Sequence, residues 1–261
     1  MKEYGLVLTG GGTRGAYQLG VWKALDEQKV PIRAVAGVSI GAINGALFCQ
    51  GDYQLAWRAW HEIRIDDLIE LPEGLPVPDN VFDPRNLPVL VRLVISEKGL
   101  DTTPLRRRME QYLSEEKVRQ SNIDLGILTF SLTDLKPVGL FLDEIMPGQL
   151  FDYLLASASL PLFRTVCIDG KRLIDGGVYN NKPTEMLLNR GFSNIIEVDV
   201  GKIGIVRPYN AEGARIISIK PEKPVGGILD VRQEIIDANI RQGYLDAMRM
   251  ITKERLLLFD V

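Results

Sequence analysis

Residues 32–41 read Ile32-Arg33-Ala34-Val35-Ala36-Gly37-Val38-Ser39-Ile40-Gly41. The first seven are apolar and β-branched enough for a buried strand. The last five form Gly-x-Ser-x-Gly, and the small apolar residues 40–48 read as a helix. Strand, glycine-flanked serine and helix in succession are the context that a nucleophile elbow requires. A sharp strand-to-helix turn projects the hydroxyl of Ser39 outward. Gly37 and Gly41 admit neighbouring backbone without a clashing Cβ. The helix opening at Ile40 aims its N–H groups and positive dipole end at the same place, which favours developing negative charge. Ala42, Gly45 and Ala46 allow that helix to pack closely.

Upstream, residues 4–9 form a short apolar run that ends in glycines, followed by a helical pattern with Ala16, Leu19, Trp22 and Leu25 on one face. Strand, helix, strand, helix within 50 residues predicts a parallel sheet covered by helices. Downstream, strand-like runs recur at 125–132, 138–142, 164–168, 195–200 and 215–219. Asp169-Gly170-Lys171 between two such runs reads as a hairpin turn. Residues 104–119 read as one charged helix with Pro104 near its start. Its Arg106-Arg107-Arg108 is read as a solvated face rather than an anion site. Residues 229–254 read as a long helix burying Ile235, Ile236, Ala238, Ile240, Tyr244 and Met248. Five prolines punctuate residues 64–104, which read either as a surface connection or as a lid over a binding site. No repeat or linker interrupts the 261 residues, so a single α/β domain over 1–261 is expected.

Composition narrows the function. Lys plus Arg number 31 against 34 Asp plus Glu, a net charge of −3 that offers no footprint for nucleic acid. The N-terminal apolar run is too short for a signal peptide, and no stretch has the roughly 20 apolar residues of a membrane span. A cytoplasmic protein is expected. Its two cysteines, Cys49 and Cys167, sit in apolar company and are read as reduced, buried small hydrophobes.

Gly10-Gly11-Gly12-Thr13-Arg14-Gly15 lies between a strand and a helix. It matches the dinucleotide pattern Gly-x-Gly-x-x-Gly, but that reading wants an acidic residue at the end of the second strand, where Gly37-Val38-Ser39 stands. It lacks the Gly-Lys-Ser/Thr of an ATPase phosphate loop. A plain turn is a further reading. An oxyanion hole of unshielded backbone N–H groups fits best beside a serine elbow.

A nucleophilic serine needs a base. The chain has one histidine, His61, which lies 22 positions after Ser39 in a helix-like stretch. In the Ser, acid, His order of α/β-hydrolases the histidine falls late in the chain, so His61 is read as an amphipathic helix residue. A carboxylate must be considered instead. Asp175-Gly176-Gly177 follows Arg172-Leu173-Ile174 and would place an aspartate in a sharp turn at a strand end. A plain Asp-Gly turn is the alternative.

Three motifs in this order resemble the patatin-like phospholipase family of the single-domain, bacterial type. Residues 8–17 are similar to its glycine-rich motif, Gly37-Val38-Ser39-Ile40-Gly41 to its elbow and Asp175-Gly176-Gly177 to its Asp-Gly-Gly/Ala motif. Ala156-Ser157-Ala158-Ser159-Leu160-Pro161-Leu162-Phe163 is similar to its Ala-Ser-rich block, and Asn181 and Pro183 stand at familiar positions. The resemblance implies a three-layer α/β/α fold around a mostly parallel sheet. It also implies hydrolysis of lipid acyl esters, with no metal and no cofactor. Ser39 would be the nucleophile and Asp175 its base. Gly10, Gly11, Gly12 and Ile40 would form the oxyanion hole, with Thr13, Arg14, Gly15, Gly37, Gly41, Gly176 and Gly177 in support. The expected partners are a lipid ester and, transiently, a membrane surface. A nucleotide-binding module on residues 10–15 and a catalytically silent regulatory protein of the same fold are the alternatives. Nothing in the spacing sets an oligomeric state.

Overall fold

The computed structural model describes residues 2–68, 70, 99–161, 163–201 and 204–254. Most of the 64–104 segment, including the candidate lid, lies outside the described residues.

Among the described residues, eight strands form one mixed sheet. They are β1 (Tyr4–Leu8), β2 (Ile32–Val38), β3 (Asp124–Ser131), β4 (Lys136–Phe141), β5 (Val166–Ile168), β6 (Lys171–Asp175), β7 (Asn194–Val198) and β8 (Arg215–Ile219). Strands β3, β2, β1, β7 and β8 lie side by side and parallel. The chain leaves β1 in one direction towards β2 and β3, and later returns to its other side for β7 and β8. Such a reversal of strand order is where open α/β sheets bind ligands, beyond the carboxyl ends of the strands.

One edge of the sheet brings two distant segments together. β4 covers one side of β3 over Gly126–Ser131. On the other side β2 pairs with Asp124 to Leu128, and antiparallel β6 pairs with Thr129 to Ser131. β2 and β6 therefore share an edge of β3 end to end. Val38 stands beside Leu128 and Asp175 beside Thr129. The residue after Val38 is Ser39, so β3 itself sets the nucleophile motif against the aspartate motif.

The helices are α1 (Ala16–Glu27), α2 (Ile40–Gln50), α3 (Tyr53–His61), α4 (Thr103–Tyr112), α5 (Glu115–Arg119), α6 (Leu150–Ser157), α7 (Thr184–Asn189) and α8 (Gln233–Glu254). The two faces of the sheet differ. Leu6, Leu8, Val35, Leu125 and Ile127 point to one side and join the main core with α1, α2, α6 and α8. Val7, Ala34, Ala36 and Ile195 point to the other, where Leu187 of α7 covers them. The period-two alternation of the strands produces this split. The α/β/α layering is thus thick on one face and, among the described residues, a single short helix on the other.

Three details depart from the sequence expectations. Residues 104–119 are two helices, because Leu113 is extended and Ser114 caps α5 by accepting from Lys117 N–H. The Ser-Glu-Glu start signal there outweighs the continuous charge pattern. The buried stripe of α8 runs through Ile236, Asn239, Gly243, Ala247 and Ile251, and Ala238 faces solvent. The stripe is set by backbone contact with α1: a Cβ on Gly243 would lie 2.0 Å from the carbonyl oxygen of Tyr17, and one on Gly20 1.9 Å from that of Ile240. Cys167 is exposed, unlike Cys49. Its apolar neighbours in sequence point the other way on edge strand β5, where Ile168 is buried. The Asp169-Gly170 hairpin between β5 and β6 forms as expected. Among the described residues no helix is long and apolar enough to cross a membrane.

Candidate active site

Ser39 sits between β2 and α2 with φ 57° and ψ −132°. A non-glycine residue with positive φ is strained, by roughly 1–3 kcal/mol, and the surroundings must hold it. Ser157 at the end of α6 does so. Its hydroxyl accepts from Ser39 N–H at 2.8 Å and donates to Leu128 O at 2.7 Å. That carbonyl lies where β2 hands the edge of β3 to β6, so Ser157 fills the gap in the ladder. Gly37 and Gly41 are equally demanded: a Cβ on Gly41 would lie 2.1 Å from Leu8 O, and one on Gly37 2.3 Å from Gly41 O.

Asp175 ends β6 and is 2% exposed. Its N–H donates to Ser159 O at 2.8 Å, and its Oδ1 accepts from Gly177 N–H at 2.7 Å. Ser157 and Ser159, two residues apart, thus fix the backbones of Ser39 and Asp175. Burial raises the Asp175 carboxyl to about 6, and this wins against the Ser39 hydroxyl and the Gly177 N–H, both of which favour the charged form. The Ser39 hydroxyl therefore faces a carboxylate that titrates close to neutral pH.

The glycine loop approaches from β1. Thr13 and Arg14 staple it to residues 226–228: Thr13 N–H donates to Ile228 O at 2.9 Å, Thr13 Oγ1 to Gly227 O at 3.1 Å and Arg14 Nε to Gly226 O at 2.9 Å. Arg14 thereby supports the loop from outside the cavity wall. Gly12 has φ +57°, and a Cβ there would lie 1.9 Å from Ile228 O. Gly15 O accepts from Asn44 Nδ2 at 3.0 Å, which ties the loop to α2.

One expected donor is already engaged. Gly10 N–H donates to Asn181 Oδ1 at 3.1 Å, and Asn181 Nδ2 returns a bond to Gly10 O at 3.1 Å. The expectation that Gly10 donates to an oxyanion is corrected accordingly: its peptide is a fixed strut. The N–H groups of Gly11, Gly12 and Ile40 have no acceptor among the described residues. In the sequence Asn181 stands out only by its position after Asp175. Its partner lies 171 residues away, so no local signal reports it. The neighbouring Lys182 anchors this arm to Glu197 at 3.2 Å and Asp199 at 3.0 Å.

Ser39, Ile40, Asp175, Gly177 and residues 10–13 all line one cavity of about 290 Å³. Ile43, Trp60, Ile63, Leu68, Leu105 and Phe163 are among the apolar residues of its wall. Such a site is near the lower end of ligand cavities, which run from roughly 300 to 1,000 Å³. His61 is not part of it. Its Nε2 lies 2.7 Å from Asp237 Oδ1 on α8 and its ring stacks on Trp57. The structure therefore brings the glycine loop, the serine and the aspartate together and leaves the histidine elsewhere.

The fold and this site define an α/β protein with a buried serine–aspartate pair in the wall of an apolar cavity. The family model for patatin-like phospholipase matches residues 6–188. The chain belongs to the patatin-like phospholipase family. It is 29% identical over 208 residues to neuropathy target esterase sws of Drosophila melanogaster, covering 77% of this chain and 13% of that protein. It is 30% identical over 215 residues to patatin-like phospholipase domain-containing protein ZK370.4 of Caenorhabditis elegans, covering 79% and 14%. It is 26% identical over 206 residues to lysophospholipase nte1 of Aspergillus terreus, covering 77% and 12%. The chain spans about one eighth of the length of these relatives. Among solved structures, VipD from Legionella pneumophila superposes with a TM-score of 0.57 at 15% identity, covering 97% of this chain and 67% of that one. At that identity the likeness concerns the fold alone.

Proposed function

We propose that the chain is a serine acyl hydrolase that cleaves carboxylic ester bonds of phospholipids or lysophospholipids. The observation that carries this reading is the meeting of Ser39 and Asp175 in the lining of an apolar cavity, beside backbone N–H groups that have no acceptor among the described residues. Asp175 takes the proton of the Ser39 hydroxyl as Oγ attacks the ester carbonyl. The tetrahedral oxyanion is held by N–H groups of Gly11, Gly12 and Ile40, the last at the positive end of α2. Asp175 then gives its proton to the departing alkoxide and an acyl-Ser39 remains. Water attacks that ester, Asp175 accepts the water proton, and the collapse of the second intermediate frees the fatty acid as Ser39 regains its hydrogen. A base titrating near 6 is ionised at neutral pH yet basic enough to accept a proton in the transition state.

The names of relatives support this reading, since one is called an esterase and another a lysophospholipase. The nucleotide reading of residues 10–15 is disfavoured because the loop is tied to Ile228 and Asn181 and lines the same cavity as Ser39. Turnover of a short-chain nitrophenyl ester tests the proposal. Ser39→Ala and Asp175→Asn are each expected to abolish it with the fold intact, and a chelator to leave it unchanged. Near-parental turnover by either variant would refute the dyad.

A further inference from the structure

The cavity opens beside a short strap, residues 204–207, whose sequence is Gly204-Ile205-Val206-Arg207. Ile205 is 51% exposed and Val206 55% exposed, yet Ile205 also lines the cavity. Apolar surface therefore runs without a break from the wall of the acyl site to the outside of the molecule. Exposed apolar surface that continues into a ligand cavity marks a place where an apolar partner makes contact. The strap is not loose. Ile205 N–H donates to Gly177 O at 3.1 Å, and Ile205 O accepts from Asn181 N–H. It is thus built onto the turn that carries Asp175 and onto the arm that clasps Gly10.

Arg207 follows directly and is exposed. Its Nε donates to Tyr179 O at 3.0 Å, and its guanidinium lies 4.1 Å from the centre of the Tyr179 ring. No carboxylate pairs with it among the described residues. A fixed cation beside a projecting aliphatic pair matches a lipid surface with anionic headgroups, with acyl region for the aliphatic tips and phosphate for the guanidinium.

We propose that residues 205–207 are the lipid-docking edge of the molecule. Ile205 and Val206 enter the acyl boundary and Arg207 engages anionic headgroups, which sets the cavity mouth against the bilayer. This rests on the lipid-hydrolase reading for its purpose but not for its test. The strap is bonded to Gly177 and Asn181, so the docking edge and the catalytic turn share one backbone.

The test uses the full chain carrying Ser39→Ala, so that vesicles are not consumed. Sedimentation is measured with vesicles of phosphatidylcholine alone and of phosphatidylcholine with phosphatidylglycerol. The Ser39→Ala chain is expected to bind the mixed vesicles more tightly. Adding Val206→Asp is expected to weaken that binding by at least about tenfold, since one buried aliphatic side chain is worth roughly that much. Adding Arg207→Gln is expected to remove the preference for anionic vesicles. A Val206→Trp chain should show an emission blue shift on vesicle addition. Val206→Asp with Ser39 restored should hydrolyse a soluble short-chain ester at the parental rate. Unchanged vesicle binding by the Val206→Asp chain, or no binding by the Ser39→Ala chain, would overturn the proposal. Vesicle binding by the Ser39→Ala chain together with no ester hydrolysis by the parental chain would instead refute the hydrolase reading and leave the docking edge standing.

Discussion

Asp169-Gly170 and Asp175-Gly176 close the two ends of the same five-residue strand, β6. The dipeptides are identical and their environments are opposite. Asp169 and Gly170 turn a hairpin in solvent, with φ of 50° and 77°, and nothing lies within 4 Å of where a Cβ on Gly170 would stand. Asp175 is buried and interacts with the Ser39 hydroxyl, and a Cβ on Gly176 would lie 2.5 Å from Leu128 O. The difference comes from β3. At its Leu128–Thr129 step one edge passes from β2 to β6, and whatever ends those strands is forced into a shared, buried space. A turn dipeptide becomes a candidate base only because of that neighbour.

The largest contrast is expected in turnover. Asp175→Asn should lower kcat by at least about 10⁴-fold, as loss of a residue acting as a unit with the nucleophile does. Asp169→Asn should leave kcat unchanged. Equal losses in the two variants, read by ester hydrolysis, would erase the distinction. Asn181→Leu is expected to cost about 10- to 100-fold in kcat with little change in KM, because it frees the Gly10 strut and loosens the neighbouring oxyanion donors. A change confined to KM would place Asn181 in substrate binding instead.

Stability should divide the two ends in a pH-dependent way. Burial raises the Asp175 carboxyl from 3.8 to about 6. Between those values the folded chain holds a proton that the unfolded chain has released. The resulting stabilisation is complete below 3.8 and is lost as pH rises through about 6. Two pKa units correspond to about 3 kcal/mol, taken as an order of magnitude. Asp175→Asn carries no charge to bury, so denaturant melts should find it more stable than the parent at pH 8, with the advantage gone at pH 4. No such pH-linked gain is expected from Asp169→Asn, which should change stability by less than about 0.5 kcal/mol.

The glycines give the smallest contrast. Gly176→Ala is expected to cost about 1–3 kcal/mol because backbone must move aside. Gly170→Ala has open space and costs only the left-handed φ, about 1–2 kcal/mol. Melts that reverse this order would argue against the tight packing at the Leu128 step.

Much of this was legible in the residues. The elbow at Ser39, the glycine loop and the hairpin at Asp169-Gly170 are local, and each fixes its own turn chemistry. The family resemblance on those motifs agrees with the family match over residues 6–188. What stayed hidden was long-range. Nothing near Ser157 announces that its hydroxyl bridges Ser39 and Leu128, and nothing near Asn181 announces Gly10. The burial expected of Cys167 fails because neighbours along a strand face opposite sides. The split of residues 104–119 is signalled at Ser114, against a charge pattern that runs continuously across it.

The most direct test of the Ser39–Asp175 pair is the pH dependence of covalent labelling by a fluorophosphonate, followed by peptide mapping. The account predicts a single label on Ser39, a labelling rate that rises through a pH of about 6, and loss of labelling in Asp175→Asn. A label on another residue, or a rate in Asp175→Asn equal to the parent at every pH, would contradict it.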